Sequence, residues 1–477
     1  MSRGRVADRS RALASATVRL AVLVAFSAFA VYMASFRTIQ SIDSNTNAFV
    51  AYSLVRDGDP YLDEFAATYG QLSFWSFPVN GHRISPYPPG AAFLGLPFAI
   101  AGTLLGITPP QADAITIVAK AAGAAAAAAS VGFVFLLAAR TAGRRLGLLV
   151  AGLYAFGTVT WPISGGALWQ HGPAQLFLAV ALLWLVTPAW SARSGLVFGL
   201  ATLSRLTSGL FAAAALGYVV VARRSILPRL VGWALIPAVA LVAYNVVTFG
   251  DPLDLRYFSF NYTKPGGSNL LAGVAGNLVA PNRGLLVYSP FLALAVYELA
   301  RRSLRRDRIA ILVRSQLIAA AGVLVVYGAS VDWWGGYGYG PRYLAEALPL
   351  LAFGLALWLR RNRTRPLARF ALIATAVPAV VVASLGALVY DWQSWSWERL
   401  HAIPEADLQW SLDPPQILYT AAHASERFDA VTAISLVVIA AVAVLWWRMW
   451  SNAGRRAAVV TVRVAAVSGR TPSSQQG

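Results

Sequence analysis

The chain has no cysteine among its 477 residues. Its absence excludes disulfides, thiolate metal sites and a cysteine nucleophile. Charge is also scarce: charged residues make up 12% of the chain, whereas a soluble globular domain carries about 25%. The sequence therefore argues against a soluble protein.

What the chain has instead is apolar sequence, since 57% of its residues are hydrophobic and its mean hydropathy is +0.58. Apolar runs of about 20 residues, the length that crosses a hydrocarbon core, recur along the chain. Backbone groups in lipid must pair within their own segment, so such runs form helices. The sequence predicts an all-α polytopic membrane protein with about 12 transmembrane helices.

The predicted spans divide the chain into a cytoplasmic N-terminus (1–16), a transmembrane domain (17–448) and a basic, disordered cytoplasmic tail (449–477). Outer-surface helices are expected in the first extracytoplasmic loop, including one at about 88–106. The predicted spans cover about 17–35, 114–139, 146–161, 173–187, 195–204, 207–221, 230–247, 284–300, 309–329, 343–359, 370–390 and 429–447.

The net charge of +19 comes from short arginine clusters between the apolar runs. That pattern is typical of positive-inside loops, and no basic face with interleaved aromatics indicates a nucleic-acid partner. The clusters place the N-terminus on the cytoplasmic side of a bacterial-type inner (plasma) membrane. Of the 20 acidic residues, only Asp8, Glu298 and Asp307 then fall inside. The long outside loops are therefore expected to carry the function, facing the extracytoplasmic side.

Asp43, in the segment SIDSNTNAF, lies a few residues beyond the first predicted span. Asp-Ser-Asn is good helix-capping sequence, so one interpretation is an N-cap. The other is a carboxylate at the membrane surface, where a lipid-linked substrate presents its head group. On spacing alone both interpretations stay open.

Two further motifs lie in the same loop. The carboxylates of Asp57-Gly58-Asp59-Pro60 form either a divalent-cation site or a turn; the composition favours the turn, and no metal site is predicted. In GHRISPYPPG, His82 and Arg83 precede the surface helix. They are candidates for binding a phosphate or a sugar hydroxyl, or are surface residues without a role.

Aromatic residues mark two more outside segments. Trp169 and His171 lie in ALWQHGPAQ, where stacking on a sugar competes with an ordinary interfacial tryptophan. Trp333, Trp334 and Tyr337 lie in DWWGGYGYGPRY. Its glycines permit close approach of the backbone to a ligand, and its aromatic rings offer faces for a sugar or a prenyl chain.

Two arginines are candidates for binding phosphate. Arg205 separates two short apolar segments, where a basic residue is a functional candidate unless it reaches the interface. Arg342 opens a helix, the unfavourable end for a cation, so it needs an anionic partner: substrate phosphate or Glu346, four residues on. If both bind one anion, they lie within about 10–12 Å of each other and face outward, given hydrogen-bond lengths near 2.9 Å.

Taken in order over about residues 15–430, these motifs resemble the bacterial C-type glycosyltransferases. That superfamily uses polyprenyl-phosphate sugars and includes protein mannosyltransferases and lipid A aminoarabinose transferase. The resemblance rests on Asp43 after the first span, followed by the segments DGDPYLDEF, GHRISPYPPG, WQHGPA, LATLSRLTS, NRGLLVYSP and WWGGYGYGPRY.

The resemblance implies an inverting glycosyltransferase without a cofactor. It moves a sugar from a polyprenyl monophosphate donor to a hydroxyl on a lipid, glycan or protein acceptor. Asp43 would be the general base, with Asp59 or Asp63 as rivals, because no second acid adjoins Asp43. Arg205 and Arg342 would hold the donor phosphate. The alternative is a transporter or flippase of a lipid-linked saccharide, which predicts mid-membrane charge and repeat symmetry that the sequence does not show.

Overall fold

Helices account for nearly all the regular structure of the computed structural model. It describes residues 3–38, 41–66, 76–109, 111–254, 269–336, 338–391, 395 and 403–468, without the side chains of 3–13, 42 and 454–468. Within those ranges the helices are α1 (Arg3–Ala34), α2 (Ile42–Arg56), α3 (Gly90–Leu104), α4 (Ala112–Ala142), α5 (Arg144–Phe156), α6 (His171–Leu185), α7 (Ser194–Ser204), α8 (Gly209–Ala222), α9 (Leu227–Phe249), α10 (Leu270–Val279), α11 (Leu285–Tyr288), α12 (Leu292–Ser303), α13 (Arg308–Gly328), α14 (Leu348–Asn362), α15 (Pro366–Leu388), α16 (Glu405–Leu408), α17 (Gln416–Ala422) and α18 (Ala430–Ser468).

Helix boundaries follow local chemistry in the sequence. The Asp307 carboxylate accepts the backbone N–H groups of Ile309 and Ala310 and so caps α13, which satisfies donors that have no partner inside the helix. Gly250 ends α9 with a φ of 74°, a left-handed conformation that glycine adopts without strain. Pro366 opens α15, where a missing N–H costs nothing.

Seven helical segments of the described chain are long and apolar enough to cross a membrane: Ala14–Ala34, Ala112–Ala142, Arg224–Phe249, Arg308–Gly328, Arg342–Asn362, Pro366–Leu388 and Ala430–Ala453. Shorter apolar helices accompany them, Gly90–Leu104 and His171–Leu185 among them. The polytopic all-α prediction is therefore confirmed, with about seven long apolar helices and several shorter ones. Every predicted span overlaps a helix, but several of these helices are too short to meet the length of a full crossing.

The ends of the chain and the first loop differ from the sequence prediction in detail. Helix α1 begins at Arg3 and α18 continues to Ser468, so both helices extend beyond the predicted spans; the domain division remains a prediction. The first loop adds a small hairpin of β1 (Phe77–Val79) and β2 (His82–Ile84), paired antiparallel. The prediction of purely helical structure overlooked it because each strand is only three residues long.

The core of the bundle is built around α4, which packs against α1, α5 and α6. Its middle reads AAGAAAAAAS. Small side chains allow helix backbones to approach closely, which is the main source of helix association in lipid. This packing positions the N-terminal ends of α4 and α6 beside the first loop, where the candidate site lies.

Gly123 of α4 provides a test of this packing. A Cβ at this position would lie 2.1 Å from the carbonyl oxygen of Ala167, so Gly123→Ala is expected to destabilise the protein by about 1–3 kcal/mol. A Cβ added at Gly217 of α8 would have no neighbour within 4 Å. Gly217→Ala should therefore leave stability unchanged or raise it by up to about 1 kcal/mol. Thermal midpoints in detergent compare the two variants; equal midpoints would contradict the close approach.

Candidate active site

Asp43 lies in the first turn of α2 and pairs with Arg342. The Arg342 Nη1 group donates to Asp43 Oδ2 at 2.8 Å, and the Ser41 hydroxyl donates to Asp43 Oδ1 at 2.8 Å. The N-cap of α2 is Ser41, whose backbone N–H donates to the Ser44 hydroxyl. Asp43 is therefore not the N-cap, and its carboxylate is oriented by an arginine and a serine instead.

Arg342 is enclosed by aromatic and glycine residues. Its guanidinium carbon lies 4.6 Å from the centroid of a Trp169 ring, within cation–π range. Added Cβ atoms at Gly335 and Gly338 would lie 3.0 and 3.1 Å from its side chain, and Gly335 has a φ of 78°. The glycines of the WWGGYGYG segment thus permit close approach, as the sequence indicates, but the group they approach is Arg342.

Arg205 belongs to a second, buried network. It forms an ion pair with Glu346, and its Nη2 group donates to the Tyr327 hydroxyl at 2.6 Å. His171 is buried beside it, with Nε2 at 3.0 Å from Arg205 Nη1. Thr207 also donates to Glu346, at 2.6 Å. A paired and hydrogen-bonded arrangement is what a buried charge requires.

Two expectations for the arginines are corrected by these contacts. Glu346 was a candidate partner for Arg342, but it neutralises Arg205, and Asp43 takes its place at Arg342. Reaching the interface was the alternative for Arg205, but its side chain is 2% exposed and paired with Glu346. A guanidinium buried between apolar helices requires a carboxylate partner of this kind, because an unpaired charge away from water is costly.

The two networks meet at Tyr343. The guanidinium carbons of Arg205 and Arg342 lie 5.6 and 5.3 Å from the centroid of its ring, so the two groups are no farther apart than the sum of those distances. The Trp169 and His171 rings are also neighbours, with centroids 6.0 Å apart. The convergence expected of the two arginines is therefore present.

Arg283, in the NRGLLVYSP segment, is a functional candidate that the sequence analysis did not single out. Its guanidinium donates to the carbonyl oxygens of Asn282, Trp334 and Gly336 and to the Gln416 side chain. Removal from water lowers its pKa, and Arg342 is an electrostatic neighbour. The NRGLLVYSP segment was among the motifs of the resemblance, but nothing in its local sequence distinguished Arg283 from the other arginines of the chain.

The charges of this cluster do not cancel. Within the described part of the chain it contains three guanidinium groups, of Arg205, Arg283 and Arg342, and two carboxylates, of Asp43 and Glu346. The partners of Arg283 are neutral oxygens. The cluster therefore carries one excess positive charge, which favours an anionic ligand.

Three buried donors in this region have no hydrogen-bond partner among the described residues. They are Arg342 Nε, Trp169 Nε1 and Gln170 Nε2. A buried donor without a partner carries a desolvation cost of about 1–3 kcal/mol. A ligand rich in oxygen atoms, such as a phosphate or a sugar, accepts hydrogen bonds from all three types of group.

The remaining candidates lie elsewhere or outside the described residues. His82 is exposed on β2, with Nδ1 at 2.7 Å from Asp63 Oδ2, and the Arg83 backbone N–H donates to the same carboxylate. Trp333 and Trp334 are buried, their ring centroids 5.8 Å apart, so they pack against protein. Tyr337 lies outside the described residues.

The carboxylate pair of the first loop forms a turn. Gly58 has a φ of 77°, and Asp59 Oδ1 accepts the backbone N–H of Tyr61 at 3.0 Å. Both features are typical of a turn centred on glycine and aspartate. Among the described residues there is also no group of three or more histidine and acidic side chains arranged to hold a metal ion.

No protein-family model matches the chain, and no curated protein matches it by sequence. Two solved structures resemble it. The apo state of ArnT from Cupriavidus metallidurans is 15% identical, with a TM-score of 0.52 over 97% of this chain and 82% of that one. The chain has an ArnT-like fold. ArnT from the same organism bound to undecaprenyl phosphate gives 15% identity and a TM-score of 0.48, covering 96% and 81% of the two chains.

ArnT is a lipid A aminoarabinose transferase with the C-type glycosyltransferase fold, so the resemblance inferred from the sequence motifs is confirmed at the level of fold. The ArnT likeness extends over nearly the whole chain. At 15% identity it establishes architecture alone, and the chemistry must be argued from the residues of the site.

Proposed function

We propose that the chain is an inverting glycosyltransferase that moves a sugar from a polyprenyl monophosphate donor to a hydroxyl of a lipid, glycan or protein acceptor. The observation that carries this proposal is a carboxylate, Asp43, held beside buried cations and beside donors with no hydrogen-bond partner in the described part of the chain. A base next to a site for an oxygen-rich anion is the arrangement that direct sugar transfer from a phosphate requires.

Each group has a distinct part in the proposed step. Asp43 takes the proton of the acceptor hydroxyl as its oxygen bonds to the anomeric carbon. The bond from that carbon to the phosphate oxygen breaks, and the phosphate leaves with the electron pair. Arg342 and Trp169 then donate hydrogen bonds to the departing group, and Arg283 supplies the excess charge. One displacement inverts the anomeric centre and needs no covalent enzyme intermediate.

An apolar groove beside the site supports a prenyl-linked donor. It has a volume of about 210 Å³ and lies between Tyr87, Leu206 and the outer part of α9. Tyr87 interacts electrostatically with Arg342, and Leu206 directly follows Arg205. A chain leaving a phosphate at Arg342 thus has an apolar surface next to it. ArnT, whose fold the chain shares, has been crystallised with undecaprenyl phosphate, a molecule of this class.

The site is proposed to face the extracytoplasmic side of the inner membrane, with the shorter helices completing about 12 crossings. Under this topology, reporter fusions after Arg145, Arg306 and Arg365 should read cytoplasmic, and fusions near Gly267 and Ala406 extracytoplasmic. The basis is the opposite placement of arginine clusters and acids. A cytoplasmic signal at Gly267 would overturn the orientation.

The proposal is tested with purified protein in proteoliposomes and a panel of radiolabelled polyprenyl-phosphate sugars. Transfer should place the label on an acceptor supplied from membrane extract and release unlabelled polyprenyl phosphate in equal amount. Movement of intact labelled donor across the bilayer, without cleavage of its sugar–phosphate bond, would instead establish the transporter alternative. No cleavage with any sugar of the panel would reject the transferase.

A further inference from the structure

A cavity lined by both arginine and apolar side chains lies at the opposite end of the bundle from Asp43. It has a volume of about 580 Å³ and is lined by the C-terminal ends of α4, α12 and α14 and by the start of α13. Arg342 and Arg361 mark the two ends of one helical span. At 1.5 Å per residue they are separated by about 28 Å, so the cavity lies near the other membrane face.

The walls of this cavity are strongly basic. Glu298 is the only acid among its lining residues, and it is paired with Arg301 and with Arg361, the latter at 2.9 Å. The basic lining residues are Arg140, Arg301, Arg302, Arg305, Arg360 and Arg361. Positive charge thus greatly exceeds what Glu298 neutralises, which favours a ligand with negative charge.

Arg302 provides a second observation that points to a ligand in this cavity. Its Nη2 group forms an ion pair with Asp307. Its Nη1 group is buried and has no hydrogen-bond partner among the described residues. Basic loops at a membrane face usually remain in water, where every N–H is solvated. A buried guanidinium nitrogen beside a basic cavity can instead donate a hydrogen bond to a phosphate oxygen of a ligand.

Part of the cavity wall is apolar. Val186, Ile309, Phe353 and Leu357 line it alongside the arginines. A free phosphate gains nothing from such a surface, whereas a lipid presents a charged head and an apolar tail together. Basic pockets between transmembrane helices are known to bind anionic lipid head groups.

We propose that this cavity is a binding site for an anionic phospholipid, with the phosphate head group among the arginines and an acyl chain against Phe353 and Leu357. The site is separate from the proposed transfer site and does not depend on that function. A lipid bound there would hold α12, α13 and α14 together, because the cavity is lined by residues from all three.

The experiment uses the purified full chain in detergent and follows the thermal midpoint during titration with short-chain phosphatidylglycerol. A ligand that binds only the folded state raises stability with its concentration. The comparison ligands are short-chain phosphatidylcholine, glycerol 3-phosphate and inorganic phosphate. Phosphatidylglycerol alone should raise the midpoint at low concentration.

Arg305→Gln combined with Arg360→Gln tests the site, because both side chains are exposed and neither forms the ion pairs of Glu298 or Asp307. At roughly 1 kcal/mol for each basic residue, removal of both should weaken phosphatidylglycerol binding about thirtyfold. The matched control, Arg363→Gln with Arg365→Gln, removes the same charge from the loop after α14 and should weaken binding much less.

Three results would overturn the proposal. If both double variants weakened phosphatidylglycerol binding equally, the lipid would be attracted by the general positive charge of this membrane face and not by the cavity. Equal stabilisation by phosphatidylcholine would show that charge is irrelevant. Stabilisation by glycerol 3-phosphate or inorganic phosphate as strong as that by phosphatidylglycerol would show a phosphate site without a lipid chain.

Discussion

Asp43→Asn is expected to lower sugar transfer by about 10²–10⁴-fold, the usual contribution of a general base. Asparagine keeps the shape of the side chain and its hydrogen bond from Ser41, but it cannot take the acceptor proton. The α2 cap is provided by Ser41 and Ser44, so the variant should still form that helix. Labelled-sugar transfer is measured at equal protein concentration, with the thermal midpoint as a check on folding.

Two other acids of the first loop provide matched controls. Asp59→Asn retains an acceptor for the turn at Tyr61, and Asp63 pairs with His82 on the exposed hairpin. Both variants should keep transfer within about threefold of wild type, well short of the loss expected for a base. Near-normal transfer by Asp43→Asn would eliminate Asp43 as the base, and a large loss in Asp59→Asn or Asp63→Asn would identify its replacement.

Arg342→Lys is expected to raise the KM for the donor by about 10- to 100-fold, the worth of hydrogen bonds to a charged group. Lysine keeps a positive charge near Asp43 but has no planar fork and no Nε–H group. In the wild type, Nη1 is bonded to Asp43 while Nε is buried without a partner among the described residues. A guanidinium that bonds Asp43 through Nη1 and leaves Nε for a ligand is well suited to holding the base and the donor phosphate next to each other.

Arg83→Lys is the control for this substitution. Its side chain lies on the hairpin, where the described hydrogen bonds of Arg83 to Asp63 and Leu62 are made by its backbone, so the donor KM should be unchanged. Steady-state kinetics with varied donor compares the two variants, and thermal midpoints exclude unfolding. An unchanged donor KM in Arg342→Lys would remove Arg342 from phosphate binding and leave it a positioning residue for Asp43.

The sequence by itself determined the helical, membrane-spanning architecture and the order of its segments. Hydrophobic runs act locally, because a backbone in lipid satisfies its hydrogen bonds within one segment. The same locality explains why about 12 spans were predicted where seven helices have the length of a full crossing: short apolar helices such as α6 and α8 have the composition of spans without their length. The hairpin of β1 and β2 was too short to leave a recognisable alternation.

Only the tertiary structure decided which charges meet. Asp43 and Arg342 are 299 residues apart in the chain, and Thr207 and Glu346 are 139 apart. The i,i+4 spacing of helical side chains predicted Glu346 as the partner of Arg342 instead. A carboxylate in a low-dielectric interior pairs with whichever cation the packing brings near. Composition and periodicity specify which faces are apolar, but these pairings depend on helix packing across the whole bundle, which no local pattern encodes.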